Sequence, residues 1–227
     1  MEKILEIMML ELKKHTQNTG AFKMIHLNKF FVMFFITLMS TVHANAQAET
    51  IQFEPGIYEN LLLAVNKNGV ITGYYREEQG EGVTKTCEFF LQGEAKEGVA
   101  NIITWGNKPF AGVIKAGTTE INLKIEKGRE HPGCGLVLMP EIARGLSFDL
   151  ITKAPWSELR TIASEKSYFY SEPNSAKRLK SYLVKGDVVG VVAIQDNWLQ
   201  IEYYSSNAKI TRRWICSQNT ATLEPID

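Results

Sequence analysis

VNKNGVITGYY, residues 65–75, places Asn68-Gly69 between two apolar runs. An Asn-Gly pair so placed is the strongest short-range signal for a β-hairpin, because both residues tolerate the left-handed backbone of a tight reversal. Working outward, the same grammar recurs. TEINLKI (119–125) alternates Ile121, Leu123 and Ile125 with Asn122 and Lys124, the pattern of a strand with one face in a core. GLSFDLI (145–151) does the same with Leu146, Phe148 and Leu150. KTCEFFLQG (85–93), VANIITWG (99–106) and AGVIKAG (111–117) are short, rich in β-formers and bounded by glycine or charge. No stretch has the length of an ordinary helix, and PEIARG (140–145) allows a turn at most. Roughly seven or eight short strands in succession predict a small antiparallel β-barrel or sandwich over 47–151.

TKAPWSELR (152–160) combines a proline, an aromatic and charges and reads as a linker, with Trp156 expected to pack across the seam. Beyond it, 161–227 has a more specific pattern. An aromatic strand ends in a proline (YFYSEP, 168–173), and the tight turn LVKGD (183–187) leads into VVGVVAI (188–194). A polar turn closed by tryptophan follows (QDNWLQIEY, 195–203), and a second tryptophan opens the last strand (RRWI, 212–215). Gly186 suits the left-handed turn, Val188, Val191 and Ile194 supply β-branched core, and Trp198 and Trp214 add large aromatic area to a small domain.

In content and order these pieces resemble the bacterial SH3-like domain family. Two positions depart from its commoner pattern: Tyr168-Phe169-Tyr170 stands where Asn-Val-Arg is frequent, and Arg213 replaces the glycine before the second tryptophan. The resemblance implies a C-terminal SH3-like barrel and an association with the cell envelope, through peptidoglycan or an envelope protein. The whole chain is therefore expected to be all-β, an N-terminal barrel or sandwich followed by the SH3-like barrel.

The N-terminal 46 residues read as an export signal with an upstream extension. FFVMFFITLM (30–39) follows Lys29 and precedes the small-x-small site Ala44-Asn45-Ala46, so cleavage is expected after Ala46, or after Ala48 at the overlapping site Ala46-Gln47-Ala48. The apolar core is about ten residues, well short of the ~20 that span a bilayer. A start at Met24 gives this signal ordinary proportions, whereas Met1 to Lys23 adds a mixed-charge preamble. The expected location is the periplasm. After cleavage 20 basic and 22 acidic residues remain of the 25 and 25, which leaves no electrostatic footprint for nucleic acid. No second apolar segment suits stable membrane insertion.

Export also thins the catalytic candidates. Of four histidines, His15, His26 and His43 precede the cut, leaving His131 alone with Cys87, Cys134 and Cys216. GREHPGCG (128–135) gathers Arg129, Glu130, His131 and Cys134, and invites a nucleophilic reading. A Cys–His pair three residues apart on a glycine- and proline-rich turn is a poor scaffold for fixed geometry. Exported cysteines are mostly paired, and of three pairings Cys87–Cys134 is preferred because both lie in the first domain. Closing that loop stabilises by roughly 4 kcal/mol in the chain-entropy account. Cys216 is then expected to be a buried, inert thiol. Pro132-Gly133 and Cys134 become the staple, and Arg129, Glu130 and His131 what it holds out to solvent or a partner.

A lone histidine and cysteines without C-x-x-C spacing do not make a zinc site. The acidic turn REEQGEG (76–82) lacks the alternating oxygen ligands of a calcium loop. No cofactor is expected. Aromatic side chains left outside the SH3-like core, Tyr168, Tyr170, Trp198, Tyr203 and Trp214 among them, suit a groove for peptide or glycan. The expectation is a non-enzymatic envelope-binding protein. Its partner is wall peptide or glycan, or an envelope or secreted protein. The alternatives are an inhibitor or immunity protein that plugs a wall-degrading enzyme or toxin, and, third, a hydrolase with a site the sequence does not display.

Overall fold

The computed structural model describes residues 51–81, 84–205 and 207–225. The expected export signal, its expected cleavage sites and the upstream extension lie outside the described residues. Among those described, no helix is long and apolar enough to cross a membrane. The chain is all-β, with every strand pair antiparallel.

Eight strands in chain order form a closed barrel. They are β1 (Gly56–Tyr58), β2 (Leu61–Val65), β3 (Val70–Gln79), β4 (Lys85–Lys96), β5 (Val99–Trp105), β6 (Pro109–Ala116), β7 (Glu120–Lys124) and β8 (Leu146–Lys153). Closure comes from β1 pairing with β8, where Gly56 lies opposite Lys153 and Tyr58 opposite Leu150. A Cβ at Gly56 would collide with the Thr152 carbonyl, so the absent side chain lets the two strands meet. The β2–β3 reversal uses a four-residue connection rather than a two-residue primed turn. Only Gly69 is left-handed (φ +81°), while the Asn66 side chain accepts the amides of Asn68 and Val70 at 2.8 and 3.0 Å.

The alternation read in the sequence fills the barrel. Leu61, Leu63, Ile71, Phe89, Leu91, Ile114, Ile121, Leu123 and Phe148 point inward and are buried. The long β7–β8 connection turns inward at one end of the barrel. It contains a single α-turn, Cys134–Val137, and short 3₁₀ turns at Gly128–Glu130 and Pro140–Ala143. Ile125, Cys134, Val137, Leu138 and Ile142 join the barrel core, and Cys134 is bonded to Cys87 of β4.

The second sheet is a curled half-barrel of seven strands, ordered β11-β10-β14-β13-β12-β9-β15. Its strands are β9 (Glu158–Ile162), β10 (Lys166–Tyr170), β11 (Arg178–Val184), β12 (Val188–Gln195), β13 (Trp198–Tyr204), β14 (Ile210–Cys216) and β15 (Thr220–Thr222). Its concave face closes on Ile162, Phe169, Leu183, Val189, Val191, Leu199, Ile201 and Ile215.

The two sheets belong to one compact unit and share a third core. Ile57, Ala64 and Trp105 from the barrel meet Trp156, Leu159, Val188 and Leu223. Trp156 crosses this seam with its ring flat on Gly190, where a Cβ would fall inside the indole. Its Nε1 donates to Glu202 Oε2 at 2.8 Å, while Arg212 donates twice to Glu202 Oε1 at 3.0 and 2.7 Å. Glu202 is 7% exposed, so both of its oxygens are satisfied where an unpaired carboxylate would be costly. The Leu159 amide donates across the seam to Thr72 Oγ1 at 2.8 Å.

Candidate binding face

Strand parity decides which aromatics of the second sheet reach solvent. Along β10, Ser167 and Phe169 point into the concave core and Tyr168 and Tyr170 point outward. Along β13, Leu199, Ile201 and Tyr203 point inward and Trp198 and Gln200 outward. Register then gathers the outward set. Tyr170 and Gln200 flank Trp214, and Trp198 lies opposite Cys216. The Tyr170 and Trp198 rings meet edge to face with centroids 4.7 Å apart. Tyr168 meets Tyr182 in the same way at 5.6 Å. Lys166 Nζ lies 4.8 Å above the Tyr182 ring, and the Arg178 guanidinium 4.8 Å above that of Tyr168.

The barrel covers only the part of this outer face around Gly190, Val192 and Glu202. Tyr168, Tyr170, Trp198 and Trp214 remain half-buried on the other part, an aromatic strip edged by cations. Four of the five aromatics singled out from sequence are therefore brought together. Tyr203 is not: it shares the inward parity of Leu199 and Ile201 and packs against the concave core, with its hydroxyl 3.5 Å from Asp187 Oδ1. Burial, then the Asp187 charge, raises its phenol pKa. Strict two-residue periodicity from Leu199 would have found this. Cys216 also differs from the buried thiol expected of it, lying half-buried on the outer face because it shares the parity of Trp214.

The stretch 128–135 is corrected in one respect. Arg129 and Glu130 are exposed, and Arg129 turns back to donate to the Gly135 carbonyl. His131, expected outside, is 2% exposed. The Cys134–Cys87 bond and the apolar side chains after it draw the turn into the barrel, and His131 follows. Its ring stacks on Phe89 and meets Phe110 edge-on, both at 4.8 Å between centroids. Nε2 lies 2.9 Å from Thr104 Oγ1, whose hydroxyl donates to the Phe110 carbonyl. That network assigns the proton to Nε2 and leaves Nδ1 a bare acceptor without a partner among the described residues. Burial lowers the His131 pKa from 6.5 to about 4. The imidazole is neutral and enclosed, and the Cys134 sulfur beside it is spent in the disulfide.

Sequence reasoning did not single out the Trp156–Glu202–Arg212 network. Its signal is the opposite-charge pair Glu202 and Arg212, which face each other across the β13–β14 hairpin. Among the described residues no group of three or more His, Cys, Asp or Glu side chains converges as for a metal ion. Comparison with protein-family models, with curated proteins and with solved structures finds no match to the chain.

Proposed function

We propose that this is an exported, non-enzymatic binding protein of the cell envelope whose second sheet, an SH3-like module, holds cell-wall peptide or glycan on its outer face. The observation that carries the reading is the strip Tyr168, Tyr170, Trp198 and Trp214, left open to solvent on the part of the sheet that the barrel does not cover. Aromatic faces stack on sugar rings and apolar peptide edges at little entropic cost. Lys166 and Arg178 beside them suit the carboxylates of a wall peptide. The expected export signal supports the same compartment. A non-enzymatic role is supported by the disulfide that occupies Cys134 and by the enclosure of His131.

Sedimentation of the mature protein with purified sacculi tests the reading. Wild type should pellet with the wall, and Trp198→Ala or Tyr170→Ala should weaken retention about tenfold or more while the thermal midpoint shows the fold intact. A wild type that stays in the supernatant would refute it. Capture of a single tight secreted partner through Arg129 and Glu130 would instead favour the inhibitor reading.

A further inference from the structure

The aromatic strip is an outer face, and the molecule's clefts lie elsewhere. Two clefts of about 560 and 630 Å³ lie along the seam between the barrel and the second sheet. Both are lined by Tyr74, Arg76, Gly186 and Asp187, so they run into one groove. Tyr74 lines both clefts from the barrel, Phe90 joins it in the larger, and Tyr203 and Tyr204 at the end of β13 line the smaller. At Gly186 the rim is open, with no atom within 4 Å of where a Cβ would stand.

Charge in the groove is unbalanced. The 630 Å³ cleft sets Glu88 beside Lys185, which pairs with Glu165 at 3.7 Å, and the 560 Å³ cleft collects Glu59, Glu78 and Asp187 against the single cation Arg76. That guanidinium is already engaged, by Glu78 at 2.5 Å and by Glu88 at 3.6 Å. Among the described residues neither Glu59 nor Asp187 has a cationic partner. Asp187 Oδ2 accepts the Val184 amide at 2.8 Å, but Oδ1 has only the 3.5 Å contact with the Tyr203 hydroxyl. Tyr74, its pKa pushed up to about 12 by burial, remains a neutral ring that donates to Glu88.

We propose that the seam groove is a second binding site, and that it takes an alkylammonium side chain carried on an extended peptide. The two unmatched carboxylates supply the charge, the tyrosine rings supply faces that attract a cation, and the open run of two clefts gives room for the chain on either side. An ammonium fits better than an anion or a neutral sugar, because only a cation offsets the carboxylates as they lose water. The site exists because the seam holds both sheets together, and it stands independently of what the outer strip binds.

Titration of the mature protein with a capped lysine pentapeptide, followed by ¹H–¹⁵N NMR, tests this. Resonances of Tyr74, Gly186 and Tyr203 should shift, Nζ-acetylation of the lysine should abolish the shifts, and added salt should weaken them. Glu59→Gln, on an exposed turn, and Asp187→Asn, which keeps an acceptor for the Val184 amide, should each weaken binding about tenfold. Equal binding of the acetylated peptide would overturn the proposal. So would shifts confined to other surfaces, or tighter binding by an arginine peptide or a glucosamine oligomer.

Discussion

Enclosing His131 makes the fold acid-sensitive by an amount that can be worked out. In the folded chain the imidazole stays neutral down to a pKa of about 4, whereas in the unfolded chain it protonates near 6.5. Between those values the unfolded chain binds the extra proton, so acid favours unfolding. The stability is complete above pH 6.5, declines as pH falls, and levels off below about pH 4. The loss from this one group is about 2 kcal/mol at pH 5 and about 3 kcal/mol by pH 4. Other groups also titrate, so the measurement is a comparison with His131→Phe. Phenylalanine keeps an aromatic ring between Phe89 and Phe110 and leaves the Thr104 hydroxyl donating to the Phe110 carbonyl. Urea unfolding of both proteins at intervals from pH 7.5 to 4 should show the wild type losing stability relative to the variant by those amounts, whatever their offset at neutral pH. Parallel curves would show that His131 titrates normally in the folded state and would refute its enclosure.

The disulfide should leave one thiol, Cys216, open to alkylation in the native protein and three after reduction and unfolding, read by intact mass. Replacing Cys87 and Cys134 by alanine should lower stability by about 4 kcal/mol in denaturant titration. Gly190→Ala should cost about 1–3 kcal/mol because its methyl enters the Trp156 ring, whereas Gly186→Ala, left-handed at φ +93° but in open space, should cost only about 1–2 kcal/mol. Trp156→Ala should cost about 3–5 kcal/mol in thermal or chemical unfolding, since it empties the seam and removes a donor from buried Glu202.

Local pattern carried much of this structure. The alternation of Ile121 with Leu123 and of Leu146 with Phe148 marks strands whose inward faces are those the barrel buries. The Cys87–Cys134 pairing followed from compartment and from both cysteines lying in the first domain. What sequence left open depends on contacts between distant segments. Barrel and sandwich differ by the pairing of β1 with β8, and β1 is three residues long, too short to show a period. His131 looked exposed because its neighbours are charged. The apolar residues that draw it inward, Val137, Leu138 and Ile142, come after it, and the ring it stacks on, Phe89, lies forty-two positions earlier. In the second sheet the same logic separates Tyr203 from Trp198: both are aromatic on one strand, and parity alone sends them to opposite faces. The seam groove is assembled from both sheets and has no counterpart in any single stretch of chain.

Hydrogen–deuterium exchange of the mature protein, with and without soluble fragments of purified wall, tests directly whether the outer aromatic strip is the functional surface. Exchange should slow in β10, β14 and the start of β13, around Tyr170, Trp214 and Trp198, with the barrel unchanged. Protection confined to residues 128–135, or no protection at saturating fragment, would contradict that role.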